Sequence, residues 1–395
     1  MRVIYTTASP LGGSGLAEVA GHAVTGLWQA GWLGHAITVR NRLVTIPSPL
    51  VREIRFQPTK VFSALPSRYY YPMKRAWVDR VAAGFVSRHS CDVVHAWTHE
   101  ALRTLHAAKG SGAVAVLERN YAHPRHSREI LKAEYAAAGI RWPGRAWPGF
   151  ARYDHWTREL TVAVEEIEEA EVVLVPAEFT RDTMVTQGVP AEKIRVLPRG
   201  VDSKRLEPGS RDTRPFRALF VGQVCFRKGI RYLLEAWRRL KLPDAELILL
   251  GSVHEEVRAL LASHRDLPGL RVEGFAKDPA PYYRDASVFV LPTLDEGSAK
   301  VTAEAMAAGL PVITTPEAGS LVQDGESGLM VAARDVEQLA DRLAILQAHP
   351  EMRAAMGTAA RARILPYTWA RYQAGLLEVY REAAAKRQVT MSNVK

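Results

Sequence analysis

Short apolar runs recur along this chain, separated by longer stretches whose apolar positions follow a helical spacing. In the first half the runs lie at Val3 to Thr6, Ala36 to Val39, Val93 to Trp97, Val114 to Leu117 and Val172 to Val175, with helical stretches such as Leu16 to Ala30 between them. That alternation predicts a parallel sheet with crossover helices. A second series, Ala218 to Val221, Leu247 to Leu250, Val288 to Leu291 and Val312 to Thr314, repeats the pattern. The expected fold class is therefore α/β, with two Rossmann-like domains. Between the two series, Pro198 to Asp202 and the charged stretch to Pro215 read as an interdomain linker. This places the first domain at 1–200 and the second at 201–369. From Tyr367 to Tyr380 the apolar spacing predicts a further amphipathic helix, and 370–395 is assigned to it.

At 395 residues the chain is long enough for two cores, and 47% hydrophobic with 24% charged residues is the balance of an ordinary globular protein. Cys91 and Cys225 are the only cysteines, which argues against a disulfide framework or a cysteine-rich zinc site. No run approaches eighteen apolar residues, and the first residues lead into a strand without a signal-peptide pattern, so the expected location is cytoplasmic. Charge changes the picture more than composition does. Through Arg158 there are 21 Lys and Arg against 9 Asp and Glu; the remainder has 31 against 33. The whole excess of the net +10 is N-terminal. It suggests that the first half meets an anionic partner, such as lipid headgroups, a lipid-linked phosphate or an acidic saccharide. No zinc-finger, RRM or basic-helix pattern accompanies it, and nucleic acid is not expected.

The most informative segment runs from Leu291 to Pro311. It reads as strand, loop and helix, with the helix from Ala299 to Ala308 stopped by Gly309 and Pro311. A helix start offers free N–H groups and a positive dipole end, which suit a phosphate. Glu296 sits at that mouth. Glu304, eight residues on, lies near the same face because eight residues is close to a whole number of turns. Two carboxylates beside a phosphate cradle suit a ligand with both phosphate and hydroxyl groups, as in a nucleotide sugar. An isolated pair of this kind would more often be solvated helix residues. A second cradle appears in Phe220 to Ile230, where Arg227 and Lys228 precede Gly229 and Gly222 closes the strand; two cations there can neutralise a diphosphate leaving group. In the first domain, Gly12, Gly13 and Gly15 between strand and helix permit close approach of a phosphate or sugar, or form a plain tight turn. His123 follows a strand end, where loops line the ligand crevice of parallel sheets.

These residues resemble the retaining GT-B glycosyltransferases of the large "group one", glycogen-synthase-like family, which carry E-G-x-x-x-x-x-x-E-A-M-A-x-G-x-P-V. Glu296-Gly297, Glu304 to Ala307, Gly309, Pro311 and Val312 match it. Gly297-Ser298-Ala299-Lys300 replaces the common glycine-phenylalanine form. Val196 to Asp202 and Glu171 to Ala177 resemble two further family segments, so the resemblance extends from about residue 168 to 380. It implies a GT-B fold, two domains facing a cleft, with the C-terminal helix crossing back to the first. It also implies that Glu296 faces the donor sugar and Glu304 holds the ribose hydroxyls. Arg227 and Lys228, with Gly222, would take the diphosphate, although Gln223 stands where the family often has arginine. Gly13 and the residues Gly297, Ser298, Ala299 and Lys300 would complete the donor site, and His123 would meet a sugar hydroxyl, with His95 and His126 as competitors.

No Asp-x-Asp and no H-E-x-x-H occurs, so neither a metal nor another cofactor is expected. Two aromatic and basic stretches, Arg68 to Trp77 and Arg141 to Arg152, are candidates for the acceptor side or for an anionic membrane surface, where the protein would be peripheral. The expected activity is transfer of a hexose from a UDP- or GDP-sugar, with retention, to a saccharide or lipid-linked acceptor in glycolipid, lipopolysaccharide or polysaccharide synthesis. A sugar-nucleotide epimerase on the same fold and a non-catalytic anion- or membrane-binding protein are the alternatives.

Overall fold

The computed structural model describes residues 1–65, 67–140, 155–209, 215–242 and 244–393. Among the described residues, seven strands build the first sheet: β1 Val3–Thr7, β2 Leu33–Thr38, β3 Val51–Glu53, β4 Val93–Trp97, β5 Val114–Glu118, β6 Val172–Val175 and β7 Ile194–Val196. Six of the described strands build the second: β8 Phe216–Val221, β9 Ala245–Leu250, β10 Leu270–Gly274, β11 Val288–Leu291, β12 Val312–Thr314 and β13 Gly328–Met330. Their orders are β3-β2-β1-β4-β5-β6-β7 and β10-β9-β8-β11-β12-β13, and every pairing is parallel. Order reverses beside β1 in one sheet and β8 in the other. Ligand crevices of open parallel sheets form at such switch points, outside the C-terminal strand ends.

Side-chain alternation divides the first domain's core into two layers. Ile4, Val94, Ala115 and Val173 point towards the helices Ser67–Val86 and Leu102–Gly110, whereas Val3, Tyr5, Val93 and Val116 point the other way, onto the helix Leu16–Gln29. The second domain has one large cluster, in which Leu219, Phe220, Leu249, Phe289 and Ile313 are fully buried.

The helix Trp369–Asn393 completes the first domain's second layer, with Tyr372, Leu376, Val379, Tyr380 and Ala383 in that cluster. Tyr380 reaches furthest: its hydroxyl lies 2.7 Å from His95 Nδ1, while His95 Nε2 lies 3.0 Å from Glu118 Oε2. His95 is thus a core residue of β4, stacked on Tyr5. The two passages between domains touch. Val201 N–H donates to the Tyr367 carbonyl (2.9 Å), and a Cβ added at Gly200 would lie 2.5 Å from Trp369 N. Residues 210–214 of the expected linker and the whole stretch Arg141 to Arg152 lie outside the described residues. No described helix is long and apolar enough to cross a membrane.

Candidate active site

The cleft between the two sheets has a volume of about 560 Å³. Ser14, Gly15 and Glu18 enter it after β1, Gly222 and Gln223 after β8, Gly251 and Ser252 after β9, Phe275 to Ala280 after β10, and Lys300 and Glu304 after β11. Strand ends therefore supply nearly all of its wall, as the switch-point rule requires.

Arg227, Lys228 and Glu296 meet beside this cleft. β8 leads into a short turn, Phe226–Lys228, whose continuation bends at Gly229 with φ +72°. A Cβ at Gly229 would come within 1.8 Å of the Pro292 carbonyl, so only glycine lets this turn lie against the strand end carrying Glu296. Leu294 N–H and the Thr293 hydroxyl both donate to the Arg227 carbonyl, at 2.8 and 3.0 Å. On the side-chain level, Glu296 accepts from the Arg227 guanidinium, and Lys228 Nζ stands 2.5 Å from the same carboxylate oxygen. Burial alone would raise the Glu296 carboxyl, but Lys228 and Arg227 outweigh it and hold it below the usual range. For Arg227, burial opposes the charge and Glu296 overrides it, so the guanidinium stays protonated more firmly than usual. Two cations facing one carboxylate leave positive charge for a further anion. A Cβ at Gly222 would lie 3.8 Å from Lys228 Cε, which places the cluster at the cleft wall.

The helix Lys300–Ala307 carries the second carboxylate. Glu304 accepts from the Tyr283 hydroxyl (3.0 Å) and lies 3.2 Å from Lys300 Nζ, whose other partner is Glu18 of the first domain at 2.5 Å. Burial opposes the Lys300 charge, yet Glu304 and Glu18 raise its pKa above the usual value. Lys300 thus spans the cleft. Glu18, 282 residues away along the chain, carries no local signal that sequence reasoning could have used.

Of the residues singled out from sequence, Gly222, Lys300 and Glu304 line the cleft, and Arg227, Lys228 and Glu296 cluster beside it. Gly13, Gly297, Ser298, Ala299 and His123 are not among its lining residues. Gly297 instead joins the domains: its carbonyl accepts from Thr180 (2.7 Å), and a Cβ there would fall 1.5 Å from the Asn120 carbonyl oxygen. The helix start is also less open than its sequence suggests, since Ala299 N–H donates to the Ala318 carbonyl at 2.8 Å.

His123 caps the helix Pro124–Ala137. Its Nδ1 accepts from Arg125 N–H at 3.3 Å, leaving the ring proton on Nε2. Burial first, then the neighbouring Arg119, pushes its pKa down to about 4, so the ring is neutral near pH 7. Arg119 shapes this loop by donating to the Thr98 hydroxyl and to the Tyr121 and Ala122 carbonyls. His126 packs edge-on against Phe179. His123→Asn should keep a cap acceptor and hold stability, whereas His123→Ala should cost about 1 kcal/mol in a denaturant titration. Loss of transfer in the Asn variant at unchanged stability would show that the ring does more than cap.

The helix that His123 starts ends against the second domain. Glu134, fully buried, accepts from Tyr232 (2.6 Å), with Arg334 Nε 3.4 Å away. Tyr135 donates to Glu256, whose other oxygen accepts from Phe226 N–H at 2.9 Å, at the head of the Arg227–Lys228 turn. One rigid element therefore links the first domain's loop to the turn carrying both cations.

Two α/β domains with parallel sheets that meet at a cleft make the GT-B architecture; here Arg227, Lys228 and Glu296 cluster beside that cleft and Glu304 lines it. Residues 14–205 match the family model described as Glycosyltransferase Family 4, and residues 215–349 match that described as Glycosyl transferases group 1. The second domain thus belongs to the group 1 glycosyltransferases and the first to Glycosyltransferase Family 4. The chain is 31% identical over 246 residues, 55% of this chain and 57% of the relative, to a D-inositol 3-phosphate glycosyltransferase of Saccharomonospora viridis. It is also 31% identical over 175 residues, 40% of this chain and 43% of the relative, to a putative colanic acid biosynthesis glycosyltransferase, WcaL, of Salmonella typhimurium. These matches span less than two thirds of either relative. Among solved structures, HepE of Anabaena in complex with UDP-glucose superposes with a TM-score of 0.68 at 17% identity, over 97% of this chain and 100% of HepE. At that identity the likeness concerns the fold.

Proposed function

We propose that this protein is a retaining hexosyltransferase that moves a sugar from a uridine or guanosine diphosphate sugar to an acceptor hydroxyl, in glycolipid, lipopolysaccharide or polysaccharide synthesis. The observation that carries this reading is the meeting of Arg227, Lys228 and Glu296 beside an interdomain cleft that also contains Glu304. The diphosphate binds against Arg227 and Lys228, with Gly222 letting its oxygens approach the backbone. Glu304, already fixed by Tyr283 and Lys300, accepts hydrogen bonds from the ribose hydroxyls. The base lies in the region of Phe275 to Asp278. Glu296 orients the sugar once the diphosphate shares its cations.

In the reaction, the bond between the anomeric carbon and the diphosphate oxygen breaks, and its electron pair leaves with the diphosphate. The acceptor oxygen bonds to the same face of that carbon, and its proton passes to the departing diphosphate. Arg227 and Lys228 stabilise the charge that develops on the leaving group, so no metal is required. Excluding water from the cleft limits donor hydrolysis. Support comes from HepE, which was solved with UDP-glucose bound, and from the colanic acid relative.

A thermal-shift panel of nucleotide diphosphates and their sugars, with and without EDTA, tests the donor site. Binding at a hundredfold excess over Kd stabilises by about 2.7 kcal/mol. Stabilisation should survive EDTA and shrink in Glu304→Ala. A panel in which no nucleotide raises the melting temperature would overturn the assignment.

A further inference from the structure

A second cavity, of about 280 Å³, opens on the first domain's side of the site. Ser9, Pro10 and Leu16 in its wall come from the same loop and helix start that send Ser14, Gly15 and Glu18 into the large cleft. Its far wall includes Asn120 and Tyr121. The Tyr121 ring centre is 5.9 Å from the Arg227 guanidinium, and the Asn120 carbonyl abuts Gly297. The cavity therefore adjoins the place where the leaving group would depart.

Its chemistry is specific. Tyr71, Lys74 and Arg75 stand at i, i+3 and i+4 on the helix Ser67–Val86 and so share one face, which lines the cavity. Arg75 has Glu159 at 3.3 Å, whereas among the described residues no carboxylate stands within ion-pair distance of Lys74, whose Nζ lies 6.0 Å from the Tyr71 ring centre. Burial is the largest influence on the Lys74 ammonium and lowers its pKa, a cost that a bound anion would offset. Opposite lies Glu100, nearly buried, whose Oε1 accepts from Ala8 N–H at 2.6 Å.

Between them His99 is held with φ +71°, a left-handed conformation that non-glycine residues seldom adopt. The buried carboxylate of Glu166 fixes it by accepting from His99 N–H (2.5 Å) and Ala101 N–H (2.8 Å). Backbone strain held in place by a buried carboxyl group at a cavity wall is characteristic of binding sites.

We propose that this cavity is the acceptor subsite, and that it takes a sugar or polyol bearing a phosphate group, with Lys74 and Arg75 on the phosphate and Glu100 accepting from a hydroxyl. The proposal rests on the glycosyltransferase reading above and adds the chemical class of the acceptor. The transferred sugar goes to a hydroxyl of that acceptor, with bonds and proton as already described.

The test uses the full chain saturated with UDP or GDP, whichever binds, so that the diphosphate site is filled. Calorimetric titration with hexose 6-phosphates, glycerol 3-phosphate and the free hexoses gives the soluble arm. Cosedimentation with equimolar phosphatidylcholine and phosphatidic acid vesicles gives the lipid-linked arm. Phosphorylated probes should bind and free hexoses should not. Lys74→Met should weaken phosphate binding about tenfold or more, since a hydrogen bond to a charged group is worth that much. Nucleotide affinity should change less than about twofold. Arg75→Met, checked for an unchanged melting temperature, is the second variant. Binding in one arm alone, lost in Lys74→Met, identifies whether the phosphate is soluble or lipid-held. Phosphate affinity equal in wild type and both variants overturns the proposal, as does its absence from both arms. If no nucleotide binds at all, the donor reading falls instead.

Discussion

Lys228→Ala is expected to slow transfer about a hundredfold to a thousandfold, the usual effect of removing one preorganised donor from a site where charge develops. Lys228 is only 8% exposed, and its ammonium lies 2.5 Å from Glu296. A buried cation of this kind needs no reorganisation when the diphosphate leaves. Without it, Glu296 retains Arg227, but one of the two charges opposing its burial is gone and its carboxyl should move back towards the usual range. Turnover at saturating donor is the measurement. Lys228→Arg should recover part of the loss, because charge is restored in a different geometry. A tenfold effect or less for the alanine variant would mean that the leaving group's charge is met elsewhere.

A single methyl group at Gly297 is expected to be nearly as damaging. The added Cβ would fall 1.5 Å from the Asn120 carbonyl, and backbone cannot yield as a flexible side chain does. The loop after β11 must then retreat from the first domain, which also strains the Thr180 hydrogen bond to the Gly297 carbonyl. Displacement of about 1 Å in a catalytic constellation costs about a hundredfold. The expected result for Gly297→Ala is that loss in kcat/KM, with nucleotide binding to the second domain retained and a larger radius of gyration in solution scattering. Wild-type activity would show that the contact is dispensable.

Much of the fold was legible because central strands of parallel sheets are buried on both faces. β4, β6, β11 and β12 coincide with the apolar runs read from sequence, and β1, β2, β5, β8 and β9 shift by only a few residues at their ends. The strands that escaped are β3, β7, β10 and β13. Three of them are three residues long, and β10 is largely exposed, with Val272 46% exposed, so none shows a continuous apolar run. In the site, spacing within one segment was informative: Glu296 to Glu304 and Arg227-Lys228 were read from their own neighbourhoods. What spacing could not show were partners brought together only by folding, such as Glu18 with Lys300, or Tyr135 with Glu256. Nor could sequence show which way a ring turns: His123 was placed on the right loop, but its Nδ1 faces its own helix.

The packing of Trp369–Asn393 onto the first domain has a consequence for synthesis on the ribosome. Tyr5 near one end of the chain and Tyr380 near the other are both fully buried in the same cluster. The first 200 residues leave the exit tunnel well before the helix that covers the second layer of their sheet. Until residues 369–383 emerge, the part of this layer that Tyr372, Leu376, Val379 and Tyr380 cover stays open, and contacts this distant in sequence form slowly. While residues 201–369 are being made, the nascent first domain thus presents an open apolar groove, the kind of surface that chaperones bind.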